Sequence, residues 1–255
     1  MSLSPASSLP ELRGEHTIVS IRVYYDNDAE LSFIRSRRIA VIGFGEQGQA
    51  HALSLRDSGV EVTVGLRPGS PSRSRAQDCG LDVRDPAVAA AWADVIMVLV
   101  PDVAHRALHA QSIAPHLTPG KMLLIGNTLA ARYGLIKVPP QVTLALIAPN
   151  GPGNLVREQY LAGGGVPCLV SIGHNPTGDG LALALSYAKA IGATRSGVVE
   201  VDFRDAIMIG LYGERVQAAG GTAALVRSKF ALLNHTAASA DWTCDRKPPG
   251  DQIRQ

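Results

Sequence analysis

The sequence predicts an α/β fold: a mainly parallel sheet with helices on both faces, followed by a short all-helical C-terminal segment. Three observations predict it. Apolar runs and helix-like segments alternate as far as Asp202, and after Phe203 only helical spacing continues. The run 94–100 (DVIMVLV) is continuously apolar, as a strand buried on both faces should be. Residues 37–67 read as strand, glycine turn, helix and second strand, with the turn spaced G-x-G-x-x-G at Gly43, Gly45 and Gly48. That last pattern makes the sheet Rossmann-type and the turn a dinucleotide site.

In chain order, residues 18–25 alternate enough for a first strand, which Asn27-Asp28 breaks. The runs 39–42 and 60–64 flank the glycine turn and its helix. A short helix covers 72–79 and ends at Gly80. Asp85-Pro86 opens another through Trp92, with Asp as N-cap and Pro at the first helical position. The 94–100 strand stops at Pro101-Asp102, a helix covers 103–113, and strand 122–125 ends at Gly126-Asn127-Thr128. Strand 142–148 runs into Pro149-Asn150-Gly151-Pro152-Gly153. Helix 154–161, strand 167–172, helix 180–191 and a last strand 194–201 complete the alternation. Helices 203–219 and 222–238 follow, split by Gly220-Gly221.

We therefore expect a disordered leader at 1–17, a dinucleotide-binding domain at 18–202, a helical dimerisation or substrate segment at 203–240 and a flexible tail at 241–255. Two helices bury little by themselves, so the helical segment is expected to pack on its own domain or on a second copy, and a homodimer through these helices is the expected assembly.

Composition narrows the function classes. Twenty-four basic and 22 acidic residues leave a formal net charge of +2, with 46% hydrophobic residues. That balance points away from nucleic acid and from a membrane surface. No apolar run is long enough to span a bilayer, and the first residues lack the basic start and apolar centre of a secretory signal. Cys79, Cys168 and Cys244 are isolated, with no His at ligand spacing, which fits reduced thiols in the cytoplasm.

The glycines carry the cofactor argument. Gly43 permits the tight turn, Gly45 lets backbone approach a pyrophosphate, and Gly48 lets the helix pack close to the strand. Phe44, Glu46 and Gln47 complete the turn and the first helical residues, whose free N–H groups and positive dipole end face the diphosphate. Pro101 and Asp102 end the next strand at the edge where cofactor would lie. Which nucleotide binds is decided at the end of the second strand. An NAD site usually places Asp or Glu there, whereas this chain reads Gly65-Leu66-Arg67-Pro68-Gly69-Ser70-Pro71-Ser72-Arg73. Two guanidinium groups and two hydroxyls suit a 2′-phosphate, so the expected cofactor is NADP(H).

Several long stretches resemble ketol-acid reductoisomerase: VYYDNDAELSFI, VIGFGEQGQAHALSLRDSGVEVTVGLRPGS, ADVIMVLVPD, IAPNGPG, VREQYLAGGGVP, YAKAIGATRSGVVE and LYGER, spread over 23–230. The family's fold is a Rossmann domain followed by an all-helical, knotted domain; the resemblance implies the first part of it here, with Arg67, Ser70 and Ser72 at the adenosine phosphate. It breaks at the chemistry. Where the family has Ala-His-Gly, this chain has Gly126-Asn127-Thr128; where it has Ala-Pro-Lys-Gly-Pro-Gly, this chain has Asn150 in place of the Lys. Its Asp-Leu-Phe-Gly-Glu reads Gly210-Leu211-Tyr212-Gly213-Glu214, so one magnesium-ligating Asp is Gly210 while Glu214 remains. The family's later helices, with further glutamates, are not found before Gln255, so we expect a shortened homologue without the paired-magnesium site. One carboxylate cannot clamp two divalent ions, which leaves magnesium doubtful as a cofactor.

The candidate catalytic residues are Glu214, Asn127 and Asn150. The two asparagines follow neighbouring strands and either hydrogen-bond a substrate carbonyl or simply shape turns. Glu214 is a general acid, a cation-binding carboxylate, or the partner of Arg215 or Arg157 in a salt bridge. Tyr212 is an alternative proton donor; Arg132 and Tyr133 either bind a substrate carboxylate or lie in a solvated loop. His51 is expected to be structural or near the diphosphate, and His105, His109, His174 and His235 to be surface or core residues. The function expected is an NADPH-dependent reductase of a small polar carbonyl or imine. The alternatives are a non-catalytic NADPH-binding or partner-supporting protein and a genuine ketol-acid reductoisomerase.

Overall fold

The apolar runs assemble into one sheet because each side chain alternates between two buried layers. In the strand Arg38–Ile42, Ile39 and Val41 enter one core cluster while Ala40 and Ile42 enter the other. Val95 and Met97 divide from Ile96 and Val98 in the same way. A computed structural model describes residues 22–126 and 136–206. Its strands are β1 (Arg22–Tyr24), β2 (Arg38–Ile42), β3 (Glu61–Gly65), β4 (Asp82–Arg84), β5 (Val95–Val98), β6 (Met122–Ile125), β7 (Thr143–Pro149), β8 (Cys168–His174) and β9 (Val198–Glu200). The helices between them are α1 (Leu31–Arg35), α2 (Glu46–Asp57), α3 (Ser72–Asp78), α4 (Pro86–Trp92), α5 (Asp102–Leu108), α6 (Gly153–Leu161) and α7 (Gly180–Ala190).

The strand order is β1-β9-β8-β7-β6-β5-β2-β3-β4. From β4 to β7 every neighbouring pair is parallel, so the order reverses direction between β2 and β5, the switch point of a Rossmann sheet. The expected class is what the chain adopts. At the far edge β8 runs antiparallel to β7, and β1 antiparallel to β9. The antiparallel step has a local cause. After α6, Gly163 turns at φ +79° and the glycine run leads the chain back alongside the helix, where Val166 packs with Ala50 and Val156. Asn150 N–H then meets the Pro167 carbonyl at 2.7 Å, so β8 begins beside the end of β7.

Several sequence expectations need correction. Strand β4 and helix α1 were not foreseen, being short and without a clear period. The final strand is Val198–Glu200 rather than 194–201, because Gly192 at φ +83° opens a 3₁₀ turn over Ala193–Arg195. The helix expected at 103–113 is α-helical only to Leu108, then continues as a π turn over His109–Ile113. Asp85 does stand at the N-cap of α4, but it makes no capping bond; its carboxylate pairs with Arg73 at 2.9 Å instead. Residues 203–206 begin a helix, with Ala206 buried against Ile125 and Leu146. The leader, the tail and nearly all of the helical segment lie outside the described residues.

Helices α2 and α6 lie side by side and point the same way. Arg157 pairs with Asp57 and reaches Ser54 Oγ at 3.2 Å, while the Ser58 and Tyr160 hydroxyls meet at 2.8 Å. Both N-termini consequently open at the same edge of the sheet.

Candidate functional site

That edge is the crevice at the carboxyl ends of β2 and β5. Gly43 leaves β2 at φ +110°, and a Cβ on it would stand 2.3 Å from the Leu99 carbonyl oxygen, which follows β5. A Cβ on Gly48 would stand 2.3 Å from the Gly43 carbonyl, so this glycine sets how closely α2 meets the turn. Gly45 is different: a Cβ there would meet nothing within 4 Å. Its backbone faces open space at the N-terminus of α2, where no side chain caps the helix. The first-turn N–H groups therefore keep their donor capacity for a ligand. The residues fit a dinucleotide's diphosphate.

The flanking residues divide their work. Phe44 presents backbone to the crevice, since its side chain is 3% exposed and part of the core. Glu46 is exposed at the first turn of α2. Gln47 turns away from the turn: its Nε2 donates to the Gly151 carbonyl at 2.7 Å, and its Oε1 is buried with no partner. Pro101 and Asp102 stand at the start of α5. His105 pins that corner through a 2.9 Å hydrogen bond between Nε2 and the Val100 carbonyl. Burial lowers its pKa, so a neutral ring with Nε2–H as donor is the consistent form.

The loop from β3 to α3 carries the charge that the sequence reading emphasised. Arg67 is exposed, and its side chain has no hydrogen bond or ion pair among the described residues. Ser70 Oγ accepts the Ser72 N–H at 3.3 Å, and Ser72 Oγ accepts from Arg75 Nη2 at 2.8 Å. Arg73 does not take the place assigned to it. Its guanidinium is spent on the Leu66 carbonyl and on Asp85, bracing the loop against the start of α4. Arg75, which the sequence reading passed over, reaches from α3 to within 3.5 Å of the Phe44 carbonyl in the glycine turn. The signal available was its position three residues after Ser72, on the same helix face.

The loop that carries Asn150 lies at the same edge of the sheet. Asn150 is exposed just after β7, and its loop rests on the first turn of α2. A Cβ on Gly153 would stand 2.2 Å from the Glu46 carbonyl carbon, so nothing larger than glycine fits between the two helix ends. Asn127, Glu214, Gly210, Tyr212, Arg132 and Tyr133 lie outside the described residues. Arg157, one partner considered for Glu214, is committed to Asp57. Among the described residues no group of three His, Cys, Asp or Glu is placed to hold a metal ion. Nor is any helix among them long and apolar enough to cross a membrane.

The remaining titratable candidates are internal. His51 is fully buried on α2, with Nδ1 and the Tyr187 hydroxyl 2.9 Å apart. Burial lowers its pKa to about 3, so the ring is neutral and structural. Cys168, the first residue of β8, is buried in the core, its thiol pushed up to about 12 by desolvation. His109 and His174 hydrogen-bond the carbonyls of Lys137 and Val142.

Comparison with known proteins names this arrangement. Residues 33–197 match the family model described as acetohydroxy acid isomeroreductase, NADPH-binding domain. A ketol-acid reductoisomerase (NADP(+)) of Mycobacterium bovis (strain BCG / Pasteur 1173P2) is 52% identical over 215 residues, 84% of this chain and 64% of that one. Its counterpart in Mycobacterium avium (strain 104) is 51% identical over 211 residues, 83% of this chain and 63% of that one. Among solved structures, an NADH-preferring ketol-acid reductoisomerase from an uncultured archean shares a TM-score of 0.75 and 34% identity, over 84% of this chain and 66% of that chain. The chain spans less than two thirds of the length of these curated relatives. Because the family model covers the whole crevice, and the identity to named members extends beyond it, the chain belongs to the ketol-acid reductoisomerase family and carries its NADPH-binding domain.

Proposed function

We propose that this chain is an NADPH-dependent reductase of a small polar carbonyl or imine, working without the metal-dependent isomerisation for which its relatives are named. The observation that carries this reading is Asn150. It stands where the family has a Lys, on a loop seated against the first turn of the cofactor helix. The sequence adds Asn127 in place of a His and Gly210 in place of a metal-binding Asp. Three changes of charged or basic groups to neutral ones remove ion-clamping and proton-handling capacity.

Bound NADPH supplies the hydride. The glycine turn and the N-terminus of α2 hold its diphosphate, and Arg67, Ser70 and Ser72 its 2′-phosphate. Asn127 and Asn150 donate hydrogen bonds to the substrate oxygen or nitrogen and hold it near the nicotinamide. Glu214 delivers the proton that completes the reduction, with Tyr212 as the alternative donor. Placing the two reactants together supplies much of the rate in such a transfer. A homodimer formed through residues 203–240 belongs to the same proposal.

A panel of carbonyl and imine substrates, followed at the reduced-nicotinamide absorbance without added metal, is expected to show turnover. Rapid NADPH oxidation only with magnesium and acetolactate would establish the second reading, a genuine ketol-acid reductoisomerase, which the identity to relatives of that name favours. Tight NADPH binding with no oxidation under either condition would leave a non-catalytic, partner-supporting protein.

A further inference from the structure

Three arginines stand where β3 gives way to α3, and the fold uses them differently. Arg73 donates to the Leu66 carbonyl and to the Asp85 carboxylate, so its guanidinium already has an anionic partner. Arg67 is exposed with no side-chain partner among the described residues. Arg75 spans the distance between the two phosphate-binding features: one Nη2 donates to Ser72 Oγ at 2.8 Å and lies 3.5 Å from the Phe44 carbonyl. Asp78, one turn further along α3, makes no ion pair with it. A guanidinium has five N–H donors, so these two acceptors leave most of its capacity and all of its charge available.

The hydroxyls are arranged to match. Ser72 Oγ accepts from Arg75, and Ser70 Oγ accepts from the Ser72 N–H, so both hydroxyl protons remain to be donated. Two hydroxyl donors on the stretch that runs from the exposed Arg67 to Arg75, neither of which has an ion-pair partner among the described residues, suit a dianionic phosphate monoester. A ribose 2′-hydroxyl in the same place would leave both cations unanswered.

We infer that Arg75, not Arg73, is the second cation of the 2′-phosphate subsite, and that it sets the preference for NADPH over NADH. The inference deepens the reading of the crevice as an NADPH site and assigns a binding role to a residue that the G-x-G-x-x-G turn and the Arg67-to-Arg73 loop do not point to. It also bears on a property that differs within the family, since one structural relative is NADH-preferring.

Dissociation constants for NADPH and NADH, measured by calorimetry on the full chain and on Arg75→Gln, Arg75→Lys and Arg73→Gln, test it. Arg75→Gln is expected to weaken NADPH about tenfold or more and change NADH by less than about twofold. It should also flatten the salt dependence of NADPH binding. Arg75→Lys should recover part of the loss, because it keeps the charge but not the fork. Arg73→Gln should lower the melting temperature while leaving the NADPH-to-NADH ratio unchanged. Equal weakening of both nucleotides by Arg75→Gln, or no weakening of either, overturns the inference; so does a ratio shifted by Arg73→Gln alone. If Arg75→Gln does not fold, competition by adenosine 2′,5′-bisphosphate against AMP on Arg75→Lys decides it, and an unchanged ratio there counts against Arg75. These measurements need no turnover. If Arg75→Gln shifts the ratio while the wild type reduces nothing in the substrate panel, the reductase reading falls and this one, which rests only on the crevice being an NADPH site, stands.

Discussion

At the scale of single residues, the proposed 2′-phosphate subsite rests on charge and hydroxyl placement. Replacing Arg67 and Ser70 together by Ala is expected to weaken NADPH far more than NADH, as direct binding measurements would show. An equal loss for both would remove the 2′-phosphate assignment. His51 offers a prediction about stability. Its folded pKa, about 3, lies below the ordinary value of 6.5, so the unfolded chain binds the proton more readily. The stability due to its neutral burial is therefore complete above about pH 7 and is lost as pH falls from there towards 3, by at most ~1.4 kcal/mol per pH unit. The double variant His51→Phe with Tyr187→Phe removes both buried polar groups and should flatten this acid limb in thermal melts. An unchanged slope would assign the acid limb to other groups, His105 and His109 among them, whose pKa values are also lowered by burial. The type of residue at 51 was legible in the sequence; its tyrosine partner, 136 positions away, was not.

At the scale of elements, the glycines separate folding from binding. Gly153→Ala is expected to destabilise by roughly 1–3 kcal/mol, because its Cβ meets backbone of α2 that cannot yield by a rotamer change. Gly45→Ala, at φ −76° and with open space around it, should keep its melting temperature and lose dinucleotide affinity. If Gly45→Ala binds NADPH as tightly as wild type, the diphosphate does not approach that face. Gln47 ties the two helix ends together from its side chain. Gln47→Met is expected to speed amide exchange in the segment after β7 while leaving α2 protected; unchanged exchange at Gly151 would mean that Gly153 packing suffices. The β-α-β unit was readable because its contacts are local and its periods clear. The seating of the Asn150 loop on α2 was not, because it depends on a hydrogen bond spanning 104 residues and on one backbone close approach.

At the scale of the whole molecule, light scattering on the 26.8 kDa chain checks the proposed dimer, with twice that mass expected and the monomer mass excluding it. The amino-acid sequence by itself determined the fold class, the order of most elements and the nucleotide-binding turn, since these follow from apolar period, glycine spacing and residue charge within short windows. The resemblance further implies that Asn127, Asn150 and Gly210 stand where family members have groups suited to proton or metal chemistry, which is the basis of the proposed function. Only the tertiary structure decided how three similar arginines divide their roles: Arg73 is paired with Asp85, Arg67 is left open, and Arg75 is carried back to the glycine turn by the face of α3 it occupies. The reversal of β8 was likewise settled in three dimensions, where a glycine run returns the chain alongside α6. The physical reason is common to both. A charge's partner and a strand's direction depend on what lies across space, and spacing along the chain does not encode that.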